Sequence, residues 1–257
     1  MNTQKIIFQP NESNILDKEN HPSQPVPASK EMPDWFSKMD RFAKNPITGE
    51  YIKAPKGIAP YAKPGTDGDY GKIPTWKACP ALLDAFTSGY FLRTPCDIKF
   101  YVKDNKVFAE LEKEYEIFIQ KRDSMPGFSQ PAGYHANHFA WFGNWKIVVP
   151  DGYSILYTHP LNRYDLPFWS TSGFIDTDKV KMPGSYPFFI RKDWEGTIPA
   201  GTPYMQMIPF LRENWESEIV KETLTEISIE KYENMKKYRQ PDGGVYMKEV
   251  WEPRKYS

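Results

Sequence analysis

The sequence predicts a mainly β protein: a barrel or sandwich of short strands, with a few short helices and extended N- and C-terminal arms. Three observations predict it. Aromatic residues make up 16% of the 257-residue chain and prolines number 24; many rings among many turns favour pleated, half-buried surfaces over helical bundles. Apolar alternation recurs in short runs, each bounded by Gly, Pro, Asn or Asp. Ten of the prolines fall within residues 1–75, where missing amide donors and restricted predecessors disfavour helices and central strands.

Residues 1–75 read as a Pro-rich N-terminal arm. Pro22-Ser-Gln-Pro25-Val-Pro27 suits polyproline-type chain. Asp34 to Phe42 fits one short helix, with Trp35, Met39 and Phe42 on one face. Lys53 to Lys72 is a long polar loop with Pro64-Gly65 and Asp67-Gly68 turns. Two readings stand for the arm: a leader without fixed structure, or a segment that orders on a neighbouring subunit.

Residues 76–222 read as the β-rich core. Pro80 to Tyr90 is a helix with Pro80 in its first turn and Gly89 as its C-terminal cap. Ile98–Val102 and Val107–Leu111 alternate about Lys103-Asp-Asn-Lys106, a hairpin signal. Tyr115–Gln120 follows as a third strand. Lys146–Val149 and Ser154–Thr158 flank Pro150-Asp-Gly152 and suggest a second hairpin. Tyr186–Arg191, Tyr204–Phe210 and Trp215–Glu222 complete the set. Residues 223–257 hold a helix and tail. Ile229, Tyr232, Met235 and Tyr238 recur at helical spacing over 228–239, Glu233 is placed to pair with Lys236 and Lys237, and Pro241-Asp-Gly-Gly244 stops the helix. Residues 245–257, with Tyr246 and Trp251, form a second arm.

Lys+Arg and Asp+Glu both number 33, so net charge is zero. That argues against a protein whose main task is gripping nucleic acid, although a local basic patch fits within it. No apolar run approaches the ~18 residues that span a bilayer, and the first residues lack the apolar stretch of a signal peptide. Cys79 and Cys96 are not in a Cys-x-x-Cys pair, and free thiols are the expectation in a reducing compartment. No Walker loop, Gly-x-Gly-x-x-Gly, Gly-x-Ser-x-Gly or zinc-ribbon spacing occurs.

Residues 149–210 carry the most informative motifs. Val149-Pro-Asp-Gly-Tyr153, Ser172-Gly-Phe-Ile-Asp-Thr-Asp178 and Ile198-Pro-Ala-Gly-Thr-Pro-Tyr-Met-Gln-Met-Ile208 follow one another at strand-like spacing. In order and chemistry they resemble the core of the trimeric dUTPases, a β-clip fold. There a Pro-x-Gly turn, a Gly-x-Ile-Asp-Ser-Asp loop and a Gly-Asp-x-Ile-Ala-Gln strand occur in the same sequence. The resemblance implies that Asp176 would orient a water toward a nucleotide phosphorus, with Asp178 following it, magnesium on the phosphates and Gln206 at a phosphate-contacting position. Four departures stand against this. Lys179 replaces the aromatic that stacks on uracil. The Pro-Arg-Ser-Ser phosphate loop has no counterpart, the nearest text being Thr158-His-Pro-Leu-Asn-Arg163. The family's Ala-Gly-x-Asp-Leu strand and Gly-rich tail are missing. From the residues alone, a carboxylate suits proton acceptance from water; Asp176 and Asp178 equally suit a turn whose carboxylates cap backbone amides.

Two further constellations bear on chemistry. His135, His138 and His159, with Asp165 or Asp176 as oxygen ligands, would supply a metal site. Residues i and i+3 of a strand face opposite sides, so His135 and His138 need a turn or helix to converge; ordinary hydrogen bonding among aromatics is the other reading. Arg163 would clamp a phosphate or carboxylate, or pair with a loop aspartate such as Asp165. Phe128, Tyr134, Phe139, Trp141, Phe142 and Trp145 lack interleaved basic residues, which favours core packing or a subunit interface over a nucleic-acid platform.

The chain is also similar to a family of uncharacterised tailed-phage proteins. The likeness is carried by Cys79-Pro-Ala-Leu-Leu-Asp-Ala with Gly89-Tyr90, then Pro150-Asp-Gly-Tyr-Ser, Asn162-Arg163, Ile175-Asp-Thr-Asp, and Gly201-Thr-Pro with Gln206-Met-Ile-Pro-Phe. β-Clip trimers include phage head decoration proteins, so the resemblance implies a non-catalytic, oligomeric virion or assembly protein without a cofactor. Its partners would be copies of itself, possible trimers among them, and other virion proteins, with no direct nucleic acid and no membrane. It would reside in the virion or host cytoplasm. The alternatives are a magnesium-dependent nucleotide-binding or nucleotide-hydrolysing enzyme using Asp176, Asp178, Arg163, Lys179 and Gln206, and a His-based metal-dependent protein.

Overall fold

Asp104 and Asn105 both take positive φ, 51° and 58°, as a two-residue turn matched to strand twist requires. The turn joins β4 (Ile98–Lys103) to β5 (Lys106–Glu110), with Val102 opposite Val107, and the expected hairpin is present. The computed structural model describes residues 4–11, 20–53, 72–122, 129–180, 182–221, 226, 228–231, 233–234 and 249–257. It is mainly β, and two compact units divide it. One comprises Met1–Glu31, Ser88–Glu213 and Tyr256–Ser257; the other comprises Met32–Thr87 and Asn214–Lys255.

The first unit holds the strands. They are β1 (Ile7–Pro10), β2 (Val26–Pro27), β3 (Tyr90–Arg93), β4, β5, β6 (Ile119–Arg122), β7 (His138–Phe142), β8 (Trp145–Val148) and β9 (Tyr153–Thr158). After them come β10 (Phe168–Ser170), β11 (Gly173–Ile175), β12 (Ser185–Ile190), β13 (Gly196–Ile198) and β14 (Pro203–Leu211). Among the described residues four sheets form, ordered β1-β8, β10-β12-β7-β6, β11-β9-β14-β3-β2 and β13-β4-β5. Every named pairing is antiparallel. Trp141 of β7 lies flat on Phe188 of β12, 3.6 Å between centroids at 7°. Phe118, Phe168 and Tyr204 surround it, and Ser170 accepts its indole N–H at 3.0 Å. Stacked and edge-on rings of this kind bury large area and fix geometry together. The aromatics at 139 and 141 are therefore core, as their lack of basic neighbours suggested; Phe128 lies outside the described residues.

The described residues of the N-terminal segment up to Glu31 pack on their own chain. β1 pairs with β8, and β2 adds to β3 at the sheet edge, where Pro27 costs no ladder bond. His21 and Ser23 are buried, with His21 bonded to Tyr115 at 3.0 Å and Ser23 accepting the Trp145 indole at 3.3 Å. Arg93 and Glu31 add an ion pair at 2.6 Å.

Three strand expectations are corrected. β8 and β9 do not form a hairpin: β8 pairs with β1, and β9 pairs with β11 and β14. Gly152 (φ 85°) instead gives its N–H to Asp178 and accepts the Arg212 N–H, so the Pro150 turn is tied sideways. Tyr115–Gln120 is not one strand. Lys113–Phe118 is a 3₁₀ helix that buries Tyr115 and Phe118 on one side, as its three-residue turn dictates; β6 starts only at Ile119. Residues 214–221 have no regular structure and are exposed throughout.

In the second unit α1 (Asp34–Ser37) is a single turn. It buries Phe36 against Phe86 of α2 (Pro80–Thr87), centroids 4.2 Å apart, and leaves Trp35 partly exposed. The expected face of Trp35, Met39 and Phe42 does not form because the helix stops before Met39. Ala43, Ile52 and Ile73 close a ring of backbone bonds: Ala43 N–H to Ile73 (2.8 Å), Ile73 N–H to Ile52 (3.1 Å) and Ile52 N–H to Ala43 (2.9 Å). This ring ties the two ends of the polar loop, whose residues 54–71 lie outside the described set. Glu226, 228–231 and 233–234 are helical and exposed. Tyr232, Met235, Lys236, Lys237, Tyr238, the Pro241 stop and Tyr246 also lie outside the described residues. Trp251 donates its indole N–H to Asp84 at 3.1 Å. Among the described residues no helix is long and apolar enough to cross a membrane.

Candidate functional site

β11 ends in a tight turn in which the N–H groups of Lys179 and Val180 both reach the Asp176 carbonyl at 2.9 Å. The turn presents Asp176 and Asp178 toward β9 and the end of β14. Ser154 donates to Asp176 Oδ1 at 2.6 Å. Arg212, just past β14, approaches the same oxygen at 3.4 Å, and Lys179 lies 4.0 Å from Asp176 Oδ2. Arg212 forks onto Asp178, with Nη1 on Oδ1 at 2.7 Å and Nη2 on Oδ2, while Gly152 N–H adds a bond to Oδ2 at 3.0 Å. Arg212 also donates to the Tyr153 carbonyl and Ser154 Oγ, each at 3.0 Å.

These contacts set the proton affinities. The Arg212 hydrogen bonds hold the Asp178 carboxyl far below the usual carboxylate range, with Gly152 helping and burial opposing. The Ser154 hydroxyl lowers Asp176, helped by the charges of Arg212 and Lys179. Asp178 in turn raises Arg212. Bidentate guanidinium–carboxylate geometry is strong and directional. Asp178 is only 4% exposed at its side chain, so its acceptor capacity is committed. Asp176 keeps an open side, at 47% exposure, but a lowered proton affinity makes it a weaker base. The arrangement pins the 150–153 turn, the 176–179 turn and the end of β14 to one another. Sequence reasoning found the two aspartates and missed Arg212 and Ser154; the signal was a lone Arg directly after the longest apolar strand.

Gln206 is elsewhere. In the β9–β14 register it stands opposite Thr158, four residues from the Phe210–Ser154 pair, or roughly 13 Å along the strand at ~3.4 Å per residue. Its side chain is fully buried. Oε1 accepts the Leu161 N–H at 2.8 Å and Nε2 donates to the Ser88 carbonyl at 2.7 Å. Arg163 forks onto Asp165, Nε to Oδ1 at 2.9 Å and Nη2 to Oδ2 at 2.9 Å, the loop-pairing alternative of the sequence reading.

The histidines do not assemble. His159 accepts the Ser170 N–H at Nδ1 (3.3 Å) and donates from Nε2 to the Arg163 carbonyl (3.2 Å), using both ring nitrogens. His138 stacks on Phe189, centroids 5.1 Å apart. His135 sits in the turn before β7 and bonds Ile190 through its backbone at 2.9 Å. Among the described residues no three His, Cys, Asp or Glu side chains converge as metal ligands.

Burial pushes His159 down from 6.5 to about 4. Between those values the unfolded chain binds a proton that the folded chain refuses. Stability is therefore full above 6.5 and falls as pH drops toward 4, by roughly 3 kcal/mol at ~1.36 kcal/mol per unit. Burial lowers His135 and His138 in the same direction. Urea midpoints at pH 7.5 and 4.5 should differ accordingly, and His159→Gln should flatten most of the difference. An unchanged slope in that variant would refute the assignment.

No protein-family model and no curated protein matches the sequence. Among solved structures the chain is similar to an aspartate-to-asparagine mutant of the dUTPase from phage phi11 of S. aureus, described for its coordination of a structural Mg(II) ion. The likeness is 14% in identity, covers 40% of this chain and 97% of that one, and has a TM-score of 0.25. At that score it assigns no residue a role.

Proposed function

We infer that the chain is a non-catalytic protein that works by self-association, as a structural or assembly component of a phage particle. The observation that carries this reading is the set of large apolar side chains turned to solvent: Trp215 at 86%, Ile219 at 92%, Phe174 at 71% and Met182 at 67% exposure. Isolated exposed leucines are commonplace, but bulky rings and branched chains in this number are the material of protein interfaces. The internal use of Asp178, Gln206 and Arg163 supports the same reading, since each is occupied by its own chain. The phage setting rests on the motif likeness around Pro150, Asn162, Ile175 and Gln206. Light scattering should give a multiple of the monomer mass at micromolar concentration; a monomer throughout would overturn the reading.

One observation favours the nucleotide alternative. Asp176 is half exposed with two cations beside it, a pattern compatible with a phosphate-facing turn, and magnesium would belong to that reading only. The expected result is no hydrolysis of any deoxynucleoside triphosphate with magnesium, and an Asp176→Asn variant of unchanged oligomer mass. Turnover abolished by Asp176→Asn at wild-type stability would install the enzyme reading instead.

A further inference from the structure

The second unit carries two exposed features of opposite charge. The first surrounds the three-way backbone ring. Lys44 faces Tyr51 and Lys53 faces Lys72 across antiparallel bridges. The Lys72 ammonium lies 3.8 Å above the Tyr51 ring, and that of Lys44 lies 5.4 Å from it. Lys44 is neutralised by Asp40 at 3.1 Å. Lys53 and Lys72 have no carboxylate partner among the described residues, and like charges directly opposite in an antiparallel pair are destabilising. Ile47, Tyr51 and Ile52 are exposed beside them.

The second feature is the segment 214–221, Asn-Trp-Glu-Ser-Glu-Ile-Val-Lys. Trp215 and Ile219 are almost wholly in solvent, and Val220 is largely exposed. Glu216 and Glu218 have no basic partner among the described residues. Both features are open to solvent in the single chain, so neither covers the other there.

We propose that residues 214–221 of one copy dock on the Lys53–Lys72 face of a second copy, with Glu216 and Glu218 set beside the Lys53 and Lys72 ammonium groups and Trp215 against the exposed Tyr51 and Ile52. This rests on the self-association reading and names its contact. Charge complementarity selects the occupant: the acidic, apolar segment and the basic, apolar face belong to one sequence, so every copy supplies both. Burying an aromatic anchor within a ring of matched charge is how interfaces concentrate their binding energy. Donor and acceptor are different parts of the chain, so the contact is heterologous and closes as a ring or as a reciprocal exchange between two copies.

The test is a charge swap followed by sedimentation or light scattering at low and high salt. Lys53→Glu with Lys72→Glu should weaken self-association at least about tenfold, as should Glu216→Lys with Glu218→Lys. Trp215→Ala should weaken it roughly thirtyfold, the scale of a central aromatic anchor. Mixing the two charge-reversed proteins should restore assembly, because each then offers the other a matched surface. All variants should keep the wild-type melting temperature, since the altered side chains are exposed. A wild-type oligomer indifferent to these changes, or weakened without rescue on mixing, overturns the contact and leaves the self-association reading standing. A wild-type monomer overturns both.

Discussion

Replacing Gly89 by alanine should leave little folded protein. Gly89 lies between the end of α2 and the start of β3 with φ at 74°. A Cβ there would sit 1.8 Å from the Met207 carbonyl oxygen and 2.8 Å from its carbon. Both atoms belong to the backbone of β14, which is hydrogen-bonded to neighbours on both sides, so they have nowhere to move. Gly89 also accepts the Ala28 N–H at 3.0 Å, so a shift would disturb β2 as well. The left-handed conformation alone costs about 1–2 kcal/mol for an L-residue, and the overlap raises the cost into the range of the most damaging single substitutions, above ~4 kcal/mol. Against a net stability of about 5–15 kcal/mol, that removes most or all of the margin. Gly49 provides the control: its φ is 72° and a Cβ there meets nothing within 4 Å, so Gly49→Ala should cost only the conformational part. Soluble yield and urea midpoint read both. Equal midpoints for the two variants would show that the close approach to β14 is not what requires glycine.

Gln206→Leu should be the next most damaging change, and it separates a structural role from a phosphate-binding one. The substitution keeps approximate size while leaving the Leu161 N–H and the Ser88 carbonyl without their side-chain partner. Each buried orphan costs about 1–3 kcal/mol, so the pair costs roughly 2–6 kcal/mol. The expected result is a large fall in melting temperature. Unchanged stability with a lost nucleotide thermal shift would instead give Gln206 the phosphate contact that the dUTPase resemblance implies.

What was legible in the sequence was whatever one short stretch determines. Asp104-Asn105 specified the β4–β5 hairpin because both residues tolerate positive φ. Pro80 and Gly89 bracketed α2 because one lacks an amide the helix start does not need and the other reaches a conformation the helix end requires. Partners were not legible. Alternation in Tyr153–Thr158 reports that the strand has a buried face, not that β14 rather than β8 lies beside it. Tyr115 and Phe118 are three apart, a spacing that serves a 3₁₀ turn rather than the third strand expected there. Phe36 rather than Trp35 is buried because α1 is only one turn long, too short for a helical face to form. At the candidate site, Asp176 and Asp178 stood out because the Gly-Phe-Ile-Asp-Thr-Asp run resembles the dUTPase loop. Their bonding depends on Arg212, 34 residues beyond Asp178, a distance over which local pattern carries no information.

The position of Tyr90 has a consequence for synthesis. Its ring is held between Phe8, 5.2 Å away, and Tyr256, 5.7 Å away, and its hydroxyl donates to the Ser257 carbonyl. The Ser257 contact spans 167 residues, which a ribosome takes roughly 8–33 s to add at ~5–20 residues per second. For that interval Tyr90 waits with one side of its ring uncovered. The strand beside it in the sheet, Pro203–Leu211, is also still being made. The nascent chain thus carries an unfinished sheet edge until Leu211 has been added, the state in which a chaperone finds a client and a neighbouring polysome finds something to aggregate with.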